Sequence, residues 1–341
     1  MNQTPWKKII TREYSFLFVD YMIGAYEKMK SLVGTTLAYN LFKGYGKFVT
    51  IYRIDEDIKQ SYLQIEKIII SNQQKVIGYM TTYEALVKQA HDIIIKVEEN
   101  QAKNQKETII LFDKILSELL CYYLFFVYMG YAAHLLQVRK FLAIREDRFK
   151  KIRSINIDVE CNQAFQIIFG MYSKDLGELS PYMKRKEIFD FINGKQVNRM
   201  VIEQRKERYV RIMKKGKTSD YSFVHAPRVL ERELPKETVN QSELKGNIAH
   251  AGLAVGSAVV LFSLEDMGKV KEGDILVTPM TKPHFIPVFS KIRGIITNDG
   301  GTLSHASIIA REMGIPCITG TTYATDIFKD GDTVLLDAYK G

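Results

Sequence analysis

The residue best placed to do chemistry is a histidine beside two glycines. Between Thr297 and Gly320 the chain reads TNDGGTLSHASIIAREMGIPCITG. A strand is expected to end at Thr297, the Gly300-Gly301 pair to turn the chain, and a helix to begin near Ser304. Gly314 with Pro316 behind it is a helix stop. His305 then falls in the first helical turn, where backbone N–H groups have no intrahelical partner. Those donors and the positive end of the helix dipole suit a phosphate carried on the imidazole. Gly300 and Gly301 would let the backbone approach that phosphate with no Cβ in the way. A free imidazole has a pKa of about 6.5 and is largely neutral at pH 7, so one nitrogen can attack phosphorus. Read alone, such a histidine is more often a plain polar cap. Thr302, Ser304 and Ser307 place hydroxyls beside it that either cap the helix or bind the phosphate.

Two stretches of different character must position this segment. The chain has 341 residues, 46% apolar and 26% charged, which is globular usage and excludes disordered, collagen-like and disulfide-scaffold classes. Residues 241–341 hold 12 of the 22 glycines, and between Pro5 and Pro181 there is no proline. A long helical region is therefore expected first. Ile58, Tyr62, Ile65, Ile68 and Ile69 recur at helical spacing, as do Ile109, Phe112, Leu116, Leu119 and Leu120. Aromatics vanish between Val229 and Lys245, the expected linker. Beyond Gly246, Leu253–Phe262, Asp274–Val277, Gly294–Thr297, Cys317–Thr319 and Thr333–Leu336 read as short strands, with helices near Pro283–Lys291 and Ser304–Met313. The expected order is an all-helical domain (1–230), a linker (231–246) and a small α/β domain (247–341).

Charge divides the same way. The net charge is +9, from 48 Lys and Arg against 39 Asp and Glu, yet residues 241–341 carry 9 against 11. The basic excess belongs to the first part, much of it between Lys184 and Lys217. That stretch reads as a solvated helix face or as a surface attracting nucleotide or phosphorylated substrate. No aromatic-interleaved motif accompanies it, so nucleic acid is not expected as a partner. Three cysteines form no disulfide framework and suggest a reducing, cytoplasmic setting. Leu119–Val138 runs 20 residues without a charge, near the length of a membrane span. Its tyrosines, His134 and Gln137 favour a buried helix instead, with no membrane association. The aromatic run Tyr122, Tyr123, Phe125, Phe126, Tyr128 and Tyr131 fits core packing, or the lining of a pocket. The histidines and cysteines have no metal-ligand spacing, so no metal site is expected on this chain.

Residues 247–341 resemble the swivelling phosphohistidine domain of the phosphoenolpyruvate-utilising enzymes, a group including phosphoenolpyruvate synthase, pyruvate phosphate dikinase, rifampicin phosphotransferase and the glucan, water dikinases. The likeness runs through Gly246–Val260 (GNIAHAGLAVGSAVV), Gly273–Thr278, Gly300-Gly301, Ser304-His305-Ala306, Ala310-Arg311-Glu312, Gly314-Ile315-Pro316, Gly320-Thr321 and Gly331-Asp332. The resemblance implies a β/β/α fold with His305 as phosphate carrier. Gly300, Gly301, Thr302, Ser304 and Arg311 stand as candidate phosphate ligands. Arg311, six residues beyond His305, also suits an anchoring role through Asp or Glu. Leu303 stands where the family commonly has threonine, which puts regulatory phosphorylation there in doubt.

No stretch resembles an ATP-grasp domain, and Gly216-Lys217-Thr218 fails as a Walker A end because Arg211 stands where its first glycine belongs. The resemblance therefore implies ATP and Mg²⁺ on a separate ATP-grasp partner, with neither bound by this chain itself. A small-molecule acceptor would occupy the helical domain. This gives a phosphotransferase component with a phosphohistidine intermediate. A non-catalytic docking protein retaining the fold, and a dikinase component acting on a polysaccharide, are the alternatives.

Overall fold

The computed structural model describes residues 6–12, 14–34, 38–45, 48–155, 157–234, 243–262, 264–281, 285–301 and 304–341. The chain forms two compact units, Met1–Pro235 and Lys236–Gly341.

The first unit is not all-helical. Strands β1 (Lys7–Arg12), β2 (Tyr39–Tyr45), β3 (Phe48–Arg53), β4 (Arg208–Lys214) and β5 (Lys217–Ser222) form an antiparallel sheet of order β1-β3-β2-β4-β5. The helical expectation rested on absent prolines, but strands tolerate that absence equally. Its central strands are buried on both faces, so they carry no alternating apolar–polar pattern. Phe42, Ile51, Tyr209 and Met213 face the helical core, whereas Leu41, Tyr52, Val210 and Ile212 pack with Trp6, Ala226 and Val229 on the opposite face. Lys215 and Gly216 take φ of 50° and 76° between Lys214 and Lys217, the double left-handed turn of a tight hairpin.

Helices fill the other side. Asn104 caps the long helix Gln105–Tyr131 through a 3.2 Å bond to the Glu107 amide. Leu119, Leu120, Phe125, Phe126, Tyr128 and Met129 on it are at most 2% exposed, so the charge-free stretch is a core helix. Among the described residues no helix is long and apolar enough to cross a membrane. The helix Phe16–Val33 lies against it, with the Tyr21 hydroxyl donating to Asp113 at 2.7 Å. Arg185 grips the same carboxylate through two 2.8 Å bonds.

The basic stretch divides: Lys186, Lys195, Arg199, Lys206, Lys215 and Lys217 are exposed, whereas Arg205 and Arg211 are spent internally. Arg205 pairs with Glu187 at 2.6 Å, and Arg211 bridges Asp20 at 2.6 Å and Asp220 at 2.7 Å. Neither Arg205 nor Arg211 belongs to a solvated face, since they are 6% and 3% exposed. The expected linker also begins later than its composition suggested. The helix Ala226–Glu233 continues into it, and Glu233 accepts from Lys214 at 2.7 Å and from Trp6 at 3.4 Å. Residues 235–242 of that linker lie outside the described residues.

The second unit has strands β6 (Asn247–His250), β7 (Leu253–Val260), β8 (Ile275–Thr278), β9 (Gly294–Thr297), β10 (Cys317–Thr319) and β11 (Thr333–Asp337). Their order is β11-β7-β8-β9-β10-β6, with β7 to β10 parallel and the two edge strands antiparallel. Val259, Leu276, Ile295 and Cys317 line one face, against which the helix His305–Met313 sets Ala306 and Ala310. Ala258, Ile275, Val277, Ile296 and Ile318 form a second core on the other face, under Ala324. Of the expected Pro283–Lys291 helix, Pro283 and His284 lie outside the described residues, and the described part forms one α-helical turn, Ile286–Phe289.

The Arg211 cluster sets an acid limit on the first unit. Burial alone would raise the Asp220 carboxyl, but Arg211 and Lys184 outweigh it and hold the group below its ordinary range. A depressed carboxyl stabilises the fold above the ordinary carboxylate pKa of about 4 and loses that contribution as pH falls through the folded value. Asp220→Asn is expected to cost about 3 kcal/mol at pH 7, with the difference from wild type narrowing near pH 3. Urea unfolding followed by the fluorescence of Trp6, the single tryptophan, reads this unit directly.

Candidate functional site

The geometry around His305 begins at the end of β9. The Thr297 carbonyl accepts from the Thr321 amide at 3.1 Å and the Thr321 hydroxyl at 2.9 Å. The Asn298 side chain bonds Thr325 twice, donating to its hydroxyl at 2.6 Å and accepting from its amide at 3.0 Å. The strand end is thus fixed before the chain turns. Gly300 then takes φ of 122°, where a Cβ would also stand 3.0 Å from Ser304 Oγ. At Gly301 a Cβ would meet nothing, so this residue opens onto free space.

Ser304 is the helix cap. Its Oγ accepts from the Ser307 amide at 3.4 Å and lies 2.9 Å from Ser307 Oγ, which in turn donates to the Gly301 carbonyl at 2.6 Å. Both serine hydroxyls are therefore engaged in starting the helix. His305 is its first residue, half-buried, and among the described residues neither its amide nor that of Ala306 has an acceptor. The helix ends as the sequence indicated, at Gly314 with φ of 65°.

Thr281 was not anticipated. Its Oγ1 lies 3.0 Å from His305 Nδ1, and it is 7% exposed. Phe289 packs against the imidazole at 6.3 Å between ring centroids. The threonine holds the ring's orientation, and where it accepts the hydrogen bond, Nδ1 carries the proton and Nε2 keeps its lone pair. No local motif flags Thr281, which is 24 residues away.

The other expected residues divide. Gly300, Gly301 and Ser304 stand together at the helix start. Thr302 lies outside the described residues. Arg311 is exposed, and its Nε donates back along its own helix to the Ser307 carbonyl at 2.9 Å.

Comparison with known proteins falls on the same segment. Residues 270–341 match the family described as PEP-utilising enzyme, mobile domain. Over those residues the chain is similar to that family. It is 43% identical over 111 residues to a probable phosphoenolpyruvate synthase of Archaeoglobus fulgidus, covering 33% of this chain and 15% of that one. Against the phosphoenolpyruvate synthase of Pyrococcus furiosus it is 46% identical over 107 residues, 31% of this chain and 13% of the relative. The chain therefore spans about one seventh of the length of these relatives. A solution structure of an Enzyme I protein overlaps 84% of this chain and 77% of its own, at 14% identity and a TM-score of 0.22, too low to inform the fold. The mobile-domain match includes Thr281, the glycine turn and the whole His305 helix.

A second concavity, of about 210 Å³, lies within the first unit. Of the aromatic run, Tyr123, Phe126, Tyr128 and Tyr131 line it. Phe125 and Tyr122 pack instead against Tyr79, at 5.3 and 5.5 Å. The run serves core and cavity together.

Loss of the threonine hydroxyl tests how the ring is held. In wild type, long-range ¹⁵N–¹H correlation spectra should show His305 protonated on Nδ1 at pH 8. Thr281→Val should move the population toward the Nε2-protonated tautomer, and an unchanged spectrum would remove Thr281 from the site.

Proposed function

We propose that this chain is a phosphotransferase component in which His305 carries a phosphoryl group. The donor in this reading is ATP, bound with Mg²⁺ on a separate ATP-grasp protein, and the acceptor is a small molecule held by the first unit. The observation that carries it is His305 itself. It begins a serine-capped helix, its Nδ1 is engaged by Thr281, and it stands in a region of the PEP-utilising mobile-domain family.

The chemistry follows from that arrangement. The Nε2 lone pair attacks phosphorus, and the bond from phosphorus to the nucleotide oxygen breaks with its electrons leaving on that oxygen. The imidazole becomes positively charged as the N–P bond forms, and loss of the Nδ1 proton to water relieves it. In the second step an acceptor oxygen attacks phosphorus, the N–P electrons return to Nε2, the acceptor proton passes to solvent, and Nδ1 regains a proton from solvent, which restores the neutral ring. The unpaired amides of His305 and Ala306 and the positive helix end stabilise the negative charge on the transferring group. Gly301 leaves open space beside them. Movement of the second unit between donor and acceptor belongs to the same proposal, as does a cytoplasmic setting.

The experiment is intact mass under mildly alkaline conditions, after incubation with ATP, Mg²⁺ and a lone ATP-grasp protein, with phosphoramidate as a partner-independent donor. Wild type should gain one acid-labile phosphoryl group, and His305→Ala should lose that gain under both donors. Equal labelling of wild type and His305→Ala would overturn the carrier role. Failure of both donors on wild type would favour a docking module without transfer chemistry.

A further inference from the structure

Arg53 is a buried cation without an anion. It is 5% exposed, its Nε donates to Asn40 Oδ1 at 3.0 Å, and its Nη2 donates to the Tyr26 hydroxyl. Its guanidinium stands 5.4 Å from the Tyr26 ring centre and 5.0 Å from that of Tyr128. Burial pushes both phenols above their ordinary pKa, so each is uncharged at neutral pH and neutralises nothing. Among the described residues no carboxylate pairs with Arg53. Arg211 supplies the contrast, since it is equally buried but sits between Asp20 and Asp220.

Arg53 lines the 210 Å³ cavity, and so do Arg12 and Arg153. No Asp or Glu is among the described residues lining it. Tyr83 also lines it, is 1% exposed, and has a hydroxyl buried with no hydrogen-bond partner. A buried charge and a buried unpaired hydroxyl both cost free energy unless something satisfies them. Water alone meets the hydroxyl's need but not the charge's. The volume equals roughly seven waters and exceeds the ~150 Å³ that accepts benzene. Tyr123, Phe126 and Tyr131 add aromatic side chains to the lining.

We propose that this cavity binds a small organic oxyanion, a carboxylate or phosphate on a flat apolar body of about benzene size. Arg53 takes the oxyanion, Tyr83 donates a hydrogen bond to it, and the tyrosine rings cover the body. The ligand's role as phosphoryl acceptor rests on the function proposed above, whereas its binding does not.

Calorimetric titration of the full chain with benzoate, phenyl phosphate and uncharged benzamide tests this without ATP or a partner. At least one anion should bind, with benzamide at least tenfold weaker. Tyr83→Phe, which keeps the ring, should weaken that anion about tenfold, and Arg53→Met should abolish it if the variant folds by Trp6 fluorescence. Absence of binding by both anions, equal affinity for benzamide, or an unchanged Tyr83→Phe would each overturn the site. His305→Ala should bind the anion as wild type does. A protein that binds anions but never accepts phosphate keeps the cavity and loses only the carrier role.

Discussion

One backbone constraint governs the second unit: the chain must pass from the end of a parallel strand to a helix start within seven residues, Thr297 to Ser304. It does so through Gly300 at φ of 122°, a region closed to residues with a Cβ. The turn is tight enough that Ser304 Oγ would lie 3.0 Å from such a Cβ. Everything useful about His305 follows from this geometry. The helix begins at the sheet's carboxyl end with its amides unspent, and the strand end is anchored to Thr321 and Thr325. A donor set fixed in advance needs no reorganisation when charge arrives, which is where such sites gain their advantage.

Parallel topology explains what the sequence concealed. Strands β8 and β9 are neighbours and run the same way, pairing Thr278 with Thr297. The residues that follow each strand therefore emerge at one end of the sheet. Thr281, three residues beyond β8, meets His305, eight residues beyond β9. Glycine and proline punctuation made the strands, the glycine turn and the histidine's place in the first helical turn legible, because those are local properties. A contact across 24 residues is a property of strand order, which no local pattern carries.

The first unit was less legible for a related reason. Its sheet draws strands from residues 7–53 and 208–222, and the long helices lie between. Strong helical periodicity over the middle gives no hint that the flanks pair with each other. The β-branched and aromatic residues of Phe48–Arg53 (FVTIYR), and the Lys215-Gly216 turn beside Arg208–Lys214, were the available signals. Net charge misled in a similar way. Arg205 and Arg211 raise the positive count, yet each is buried against carboxylates that composition cannot assign to it.

That internal pairing sharpens the meaning of Arg53. A buried ion pair gains little over a well-packed apolar pair, but removing one partner leaves the other as an uncompensated charge. Evolution of a stable core therefore tends either to supply the counter-ion or to discard the cation. This unit supplies it for Arg205 and Arg211, and for Arg185 through Asp113. Among the described residues Arg53 has Asn40 and neutral phenols for partners and no carboxylate, beside a cavity also lined by Arg12 and Arg153. The remaining way to offset its burial is an anion from outside the chain. The same electrostatic logic applies at His305, where the amides of His305 and Ala306 have no acceptor among the described residues. The buried guanidinium of Arg53 in the first unit and the helix start at His305 in the second are thus the two places where the proposed reading puts negative charge.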